Sequence, residues 1–572
     1  MSEYKYDKRF WRENWDEGLD DVNPKEFDTT ITALMNDTFK NYSKNIALIF
    51  KGVDFTYEDL DRLSNRFANL LVNNGFKKGD IMCVNLPNIP DYIIAIVGAL
   101  KLGCIISGVS PLLSEEQMEF QLKDLSSGRK KKIALLTLDV IYQARIRKFA
   151  IKISQLKLVM VTDLISFLSK WKQRFAKEFK DLHVDKITLL EGKKVIDLRA
   201  HVLFNFSTEA FDVEITPNDV AFIQYTGGKT GPQKGAMLTH RNIVADLLIV
   251  NKWLKWERGE GIGLSAFPYF HIGGLFFALQ MIFSGWTSIM IPKPRDIGHI
   301  IKELKKNKPK IMVNVPSLYQ LLLKNPLFRK LKHSDLEVCI SSASPFPVKS
   351  QKELEKAIGK GKLLEVYGMT ETSPLTVMNP LIKIRKLGSI GLPILNVELK
   401  LVDPQTKEIV PIGEPGEICV KGPMVMKGYY NNPEETANVI DEEGFMHTGD
   451  VAIMDDQGYL TIVALAKDMI IVSGFKVFSA KVEQTLSTHP AIEKIATTGE
   501  PNPKRPGSEI VKAFIQMKES YNSKQDIEEI KKDILTFAQE KLAPYEVPKI
   551  IEIVNEFPLS PEGKIDKKAL KP

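Results

Sequence analysis

Residues 225–242 read YTGGKTGPQKGAMLTHRN. Glycines at 227, 228, 231 and 235 let backbone N–H groups turn inward around an anion. Thr226 and Thr230 add hydroxyls, and Lys229 and Lys234 add cations. The chemistry in view is the holding of phosphate. The Gly-Gly-Lys-Thr ending imitates a nucleotide-triphosphatase P-loop, which needs a further glycine separated from the Gly-Lys pair by four residues. That position is Ile223, so the match fails. The strand VAFIQYT is expected to run through the glycines into a helix beginning near THRNIVADLL.

Such a loop needs rigid elements on both sides. In residues 30–135, YEDLDRLSNRFANLLVNNG has helical apolar spacing and a Gly stop, IMCVNLPN reads as a strand, and DYIIAIVGALKLG as a helix. The alternation resumes from KIMVNVP to LEVCISSASP, which argues for parallel sheets covered by helices, an α/β fold. From about residue 385 short strands and turns take over, and the last hundred or so residues form an α+β unit with the helix QDIEEIKKDILTFAQEKL. At 572 residues, two or more domains are expected. With 44% apolar and 26% charged residues the composition is that of a soluble globular protein, and a net charge of +7 fits small anionic substrates or weak membrane-surface contact rather than nucleic acid. Four widely spaced cysteines without a CxxC pair fit a reduced cytoplasmic compartment, and the polar N-terminus is no signal peptide. Residues 261–292 carry no charged side chain, yet Pro268, Gly273, Gly274 and Gly285 divide them, so a core helix plus a strand is expected rather than a membrane span. The basic run 128–132 reads as a solvated loop. Residues 164–180 read as a surface helix whose aromatic stripe, including Trp171, is also suited to a membrane surface.

Downstream stand EVYGMTETSP (365–374), KLGSIGLP (386–393), GEPGEI (413–418), GYYNNPEET (428–436), GFMHTGDVAIMDDQGYL (444–460), KDMIIVSGFKVF (467–478) and FPLSPEGKIDKKAL (557–570). In order and spacing, over nearly the whole chain, this series resembles the adenylate-forming (ANL) superfamily of acyl- and aryl-CoA synthetases, adenylation domains and luciferases, and within it a fatty-acid–CoA ligase. The resemblance implies a large N-terminal domain, 1–466, of doubly wound αβ-layered subdomains plus a distorted β-barrel. A small mobile α+β domain, 467–572, would follow.

It also implies the reaction. A carboxylate attacks the α-phosphate of ATP, pyrophosphate leaves, and the thiol of coenzyme A then displaces AMP. The nucleophiles belong to substrates, so the protein positions them and stabilises charge. By resemblance, Thr226, Gly227, Gly228, Lys229, Thr230, Gly231, Lys234 and Gly235 hold the β- and γ-phosphates. Tyr367, next to Gly368, stacks on adenine, Thr370 bonds the α-phosphate, Glu371 ligates Mg²⁺, and Asp450 accepts both ribose hydroxyls. Lys564 bridges carboxylate and α-phosphate. Lys467 is the hinge, Ser473, Gly474 and Phe475 line the pantetheine tunnel, and His271 borders the acyl pocket. The expected partners are a carboxylic acid, ATP and coenzyme A, with no nucleic acid. A homodimer and weak peripheral membrane contact are compatible with the resemblance.

Three departures keep an aryl- or short-chain-acid ligase, or a nucleotide- or acyl-binding relative without activity, in view. Lys229 stands where the family has a hydroxyl residue, the adenine-side Gly-Gly-Ala-Pro reads SASP at 342–345, and the Asp-Arg pair before the hinge reads Ala464-Leu465. The missing Arg would bond the ribose. A charged hydrogen bond contributes about 1.5–3 kcal/mol. Leu465→Arg is therefore expected to lower the ATP KM by roughly tenfold to a hundredfold. Steady-state kinetics check this, and an unchanged KM would mean that another residue holds the ribose.

Overall fold

The computed structural model describes all residues except 1–4, 128–130, 166–185, 199–201, 211, 227–232, 466–468, 473–474, 504, 506–507, 522–526, 559–564, 568 and 571–572. The aromatic stripe of 164–180 thus lies almost wholly outside the described residues. Of the basic run, Lys132 ties down a turn by donating to the Gly75 carbonyl at 2.7 Å.

Two large sheets form the body. In the eight-stranded sheet, Val220–Thr226, Ile105–Gly108, Ile81–Asn85, Ile133–Leu138, Leu156–Thr162 and Lys194–Asp197 run parallel, and Lys234–Thr239 and Gly428–Tyr429 add an antiparallel edge. The nine-stranded sheet has a parallel centre that includes Ile262–Ser265, Ile311–Asn314, Val338–Ser341 and Leu363–Gly368. On one side it ends in the antiparallel strands Leu375–Met378 and Leu392–Pro393. The helices expected from 3.6-residue spacing are present at Tyr57–Asn73 and Pro90–Lys101, the first opened by a capping box between Thr56 and Asp59. The parallel strands are buried on both faces, which is why IMCVN and IALLTL read as unbroken apolar runs.

A four-stranded antiparallel sheet, Glu398–Val402, Pro415–Lys421, Met446–Met454 and Leu460–Leu465, stands where the distorted barrel was expected. From Ile470 onward the residues gather a core of their own around Val482, Leu486, Ile515 and Ile534. It is built by the sheet Ile492–Pro501, Glu509–Met517, Ile550–Ile553 and the helices Ser479–Leu486 and Ile527–Lys541. Phe478 packs on Val451 and Val463 and so joins this unit to the four-stranded sheet.

The uncharged stretch 261–292 forms the strand Ile262–Ser265, the helix Ile272–Ser284 and the strand Thr287–Met290, all inside the body. Its 13-residue helix is about 20 Å long against a hydrocarbon core of about 30 Å. Among the described residues no helix is long and apolar enough to cross a membrane. Gly285, at φ 67°, ends the helix, and Gly274 lets it approach the preceding loop: a Cβ there would stand 2.2 Å from the Pro268 carbonyl oxygen. Gly274→Ala is expected to destabilise the fold by about 1–3 kcal/mol, the scale of an overpacked core. Denaturant unfolding checks this, and wild-type stability would show that the loop yields freely.

Candidate functional site

The glycine-rich segment joins two strands that pair antiparallel, with Tyr225 opposite Gly235 and Thr226 opposite Lys234. The expected strand–loop–helix order is therefore corrected to a β-hairpin followed by the helix His240–Leu254. Ala236 and Leu238 are fully buried as a strand face, and the helix N-terminus is closed by its own capping box, Thr239 with Asn242. Gly235 is required where the hairpin strands meet, since a Cβ there would stand 2.7 Å from Ile223 Cγ2. The Tyr225 hydroxyl donates to Asp124 Oδ2 at 2.5 Å and anchors the end of the first strand. Gly227, Gly228, Lys229, Thr230 and Gly231 lie outside the described residues.

Lys234 leads into the site. Its ammonium pairs with Glu435 and lies 5.4 Å from the centre of the Tyr429 ring. Tyr429 belongs to the two-residue strand on the outer edge of Lys234–Thr239, and its hydroxyl donates to Glu371 Oε1 at 2.7 Å. Burial, and then the Glu371 charge, push this phenol up, so it stays a donor. Glu371 is 5% exposed, and its carbonyl accepts from Met426 N at 2.8 Å. It lies with Thr370 on the single 3₁₀ turn Thr370–Thr372. That turn folds back because Gly368 has no side chain: a Cβ there would stand 1.7 Å from the Pro374 carbonyl oxygen. From the other side Asp246 accepts from Leu375 N at 2.9 Å, while its second oxygen has no hydrogen-bond partner among the described residues. Burial pushes the Asp246 carboxyl well up.

Tyr367, next to last in the strand Leu363–Gly368, donates to Asp450 Oδ2 at 2.7 Å. Burial, and then Asp450, push its phenol up as well. Asp450 sits in an irregularity of the four-stranded sheet: Cys419 faces His447 but Glu417 faces Val451, so Thr448–Asp450 bulge out. Gly449 takes φ 72° in that bulge and donates its N–H to Glu417 Oε1 at 3.0 Å. On the neighbouring strand Leu465 is the direct partner of Asp450, so position 465 borders the aspartate.

Lys234, Glu371, Thr370, Tyr367, Gly368 and Asp450 are thus brought together across the facing edges of three sheets. Tyr429, Glu435, Asp246 and Glu417 join them without having been singled out by the sequence. Tyr429 and Glu435 lie inside the quoted GYYNNPEET, where an aromatic and an acid beside a glycine were the available signal. His271 caps the helix Ile272–Ser284, with Nδ1 accepting from Gly273 N at 3.1 Å and the ring beside Phe267. The loop before it is held by Asn88, which accepts from Tyr269 N, and by Gln224, which donates to the Phe270 carbonyl. Phe475 lies on the strand Phe475–Val477, paired with Val472. Ser473, Gly474, Lys467 and Lys564 lie outside the described residues. Beyond Lys564, Lys567 is fastened to Glu483 at 2.7 Å on the helix Ser479–Leu486.

Residues 35–430 match the AMP-binding enzyme family and 481–564 its C-terminal domain, and the chain belongs to that family. Over 555 residues it is 34% identical to the long-chain-fatty-acid–CoA ligase of Escherichia coli O6:H1, spanning 96% of this chain and 95% of the relative. The long-chain-fatty-acid–CoA ligase of Bacillus subtilis strain 168 is also 34% identical, over 95% of this chain and 94% of its own. The fold matches the crystal structure of an anthranilate CoA ligase in complex with anthranoyl-AMP, with a TM-score of 0.81 at 23% identity over 96% of this chain and 98% of that one. It also matches ATP-bound MatB from Rhodopseudomonas palustris, with a TM-score of 0.78 at 24% identity over 95% and 98% of the two chains.

Tyr429→Phe removes a hydrogen bond to a buried carboxylate. It is expected to lower kcat/KM for ATP by roughly fivefold to a hundredfold, from about 1–3 kcal/mol. Initial rates on protein with wild-type circular dichroism check this, and unchanged kinetics would show that Tyr429 does not hold Glu371.

Proposed function

We propose that the protein is an AMP-forming acid–thiol ligase that activates a medium- or long-chain fatty acid with ATP and passes the acyl group to coenzyme A. The observation that carries this reading is the unbroken run of contacts from Lys234 through Tyr429 and Glu371 to the turn bearing Thr370, then along the strand to Tyr367 and Asp450. It sets a cation, a buried carboxylate, an aromatic ring and a second carboxylate side by side, which are groups suited to a nucleotide's phosphates, its metal, its base and its ribose. Full-length relatives with the name of long-chain ligases support the acyl class.

In the first half-reaction a fatty carboxylate oxygen bonds to the α-phosphorus, the bond to the β-phosphate oxygen breaks, and pyrophosphate leaves. Lys234 and the glycine loop neutralise the departing phosphates, Thr370 donates to the α-phosphate, and Asp450 orients the ribose. Glu371 offers a hard, buried carboxylate oxygen, the donor that Mg²⁺ takes, and with Thr370 fits that ion. Bound there, Mg²⁺ supplies neutralisation of triphosphate charge. Lys564 bridges the two reactants. In the second half-reaction the thiol sulfur of coenzyme A bonds to the acyl carbon, the bond from that carbon to the phosphate oxygen breaks, AMP leaves and the thiol proton passes to solvent. Residues 1–466 form the adenylation domain, and 467–572 rotate about Lys467 to present Ser473, Gly474 and Phe475 to the pantetheine arm. The cytoplasm is the compartment in this reading.

Pyrophosphate release with ATP and Mg²⁺ across fatty, short-chain and aromatic acids tests it. Long-chain acids are expected to give the highest kcat/KM. A preference for aromatic or short acids would transfer the protein to the alternative ligase class, and absence of acid-dependent release would make it a binding-only relative. Lys564→Ala is expected to slow adenylation by roughly a hundredfold or more, the scale of one electrostatic stabiliser. It should still convert supplied acyl-adenylate and coenzyme A to thioester, and equal loss in both halves would refute the role.

A further inference from the structure

Glu417 and Cys419 alternate onto one face of the strand Pro415–Lys421, and Cys419 is paired with His447 on the next strand. Their donor atoms converge. His447 Nδ1 lies 3.2 Å from Glu417 Oε2 and 3.3 Å from Cys419 Sγ, and all three atoms lie within 4.8 Å of one another. No other group of three such side chains comes this close among the described residues.

The Cys419 thiol has two acceptors, Nδ1 of His447 at 3.3 Å and the Glu417 carbonyl at 3.8 Å. His447 Nε2 faces Asp441 Oδ2 at 3.5 Å, and a carboxylate on that side supports the tautomer that keeps its proton on Nε2 and offers Nδ1 to a metal. Lys407 Nζ donates to Glu417 Oε2 at 3.0 Å and pairs with it as a carboxylate. The carboxylate–histidine arrangement behind Nδ1 is the support that metal-ligating imidazoles have. The competing cation is Lys407, 3.0 Å from Glu417 Oε2, on a side chain more than half exposed and able to swing into solvent.

We propose that Glu417, Cys419 and His447 form a binding site for a borderline-soft divalent cation of the Zn²⁺ type, apart from the Mg²⁺ position at Glu371. Carboxylate oxygen, thiolate and imidazole are its ligand types, and three protein ligands leave a fourth position for water. Mg²⁺ does not compete, because it takes oxygen ligands. On binding, the metal–sulfur bond forms, the thiol proton passes to solvent, and Lys407 leaves Glu417. Glu417 Oε1 keeps the Gly449 N–H, so the occupied site stiffens the Thr448–Asp450 bulge.

The test is titration of the reduced full-length protein with Co²⁺, the spectroscopic stand-in for Zn²⁺. A thiolate-to-cobalt absorption band is expected with one equivalent, displaced by Zn²⁺ and indifferent to Mg²⁺. Cys419→Ser is expected to remove the band. Lys407→Gln, a surface change, is expected to tighten Co²⁺ binding roughly threefold to fivefold, the scale of one exposed ion pair. Hydrogen exchange of the peptide spanning 446–454 is expected to slow when Zn²⁺ is added. Absence of the band, its persistence in Cys419→Ser, or unchanged or weaker binding in Lys407→Gln would each overturn the site. The Lys407→Gln arm decides the question even if Cys419→Ser does not fold, and none of these readouts depends on ligase activity.

Discussion

The hydrogen bond from Tyr429 to Glu371 is the seam of the molecule. Tyr429 belongs to the outermost strand of the eight-stranded sheet, and Glu371 to the turn at the antiparallel end of the nine-stranded one. A buried carboxylate left without donors costs far more than one hydrogen bond contributes. The two sheets are therefore held in one relative position wherever this bond persists. Met426 N and Leu375 N make the join wider, the first on the Glu371 carbonyl and the second on Asp246. The groups read as phosphate-holding, metal-holding and ribose-holding come from different sheets, so their spacing is only as good as this seam.

The same logic explains why glycines and buried acids recur around the site. Gly368 and Gly235 permit backbone approaches that no side chain would allow, and Gly449 takes the left-handed turn of the bulge. Gly368 and Gly449 are each followed within a few residues by a polar group fastened from another element: Glu371 by Tyr429, Asp450 by Tyr367. Close backbone approach sets the position and the hydrogen bond sets the direction. Asp450 is held by a phenol in this structure, so any ligand that takes this carboxylate exchanges one hydrogen-bonded state for another rather than ordering a solvated side chain.

Much of this was legible in the sequence, and the gaps have physical causes. The strand VAFIQYT and the helix from His240 are where the apolar runs and the Thr cap put them. KGAMLT between them hides its strand character, because a lysine and a glycine interrupt the alternation and the cap that follows advertises a helix. Tyr429 looks like an ordinary core aromatic until its partner is known, and that partner is 58 residues away in sequence. Asp246 is a lone acid on an apolar helix, and only the fold shows which backbone N–H it meets. The bulge at Thr448–Asp450 depends on pairing between distant strands, which a single chain of letters does not display.

The edge of the hairpin has a consequence for the birth of the chain. Lys427 N and Tyr430 N cover carbonyls of the strand Lys234–Thr239, and Gly428–Tyr429 is too short to recruit another strand in turn. In the finished molecule this edge of the sheet is thus closed against intermolecular growth. On the ribosome, however, these covering residues emerge roughly 190 residues after the edge they protect, which at about 5–20 residues per second is on the order of 10–40 s. During that interval the nascent hairpin presents an open β-edge, and chaperone capture would matter most in that window.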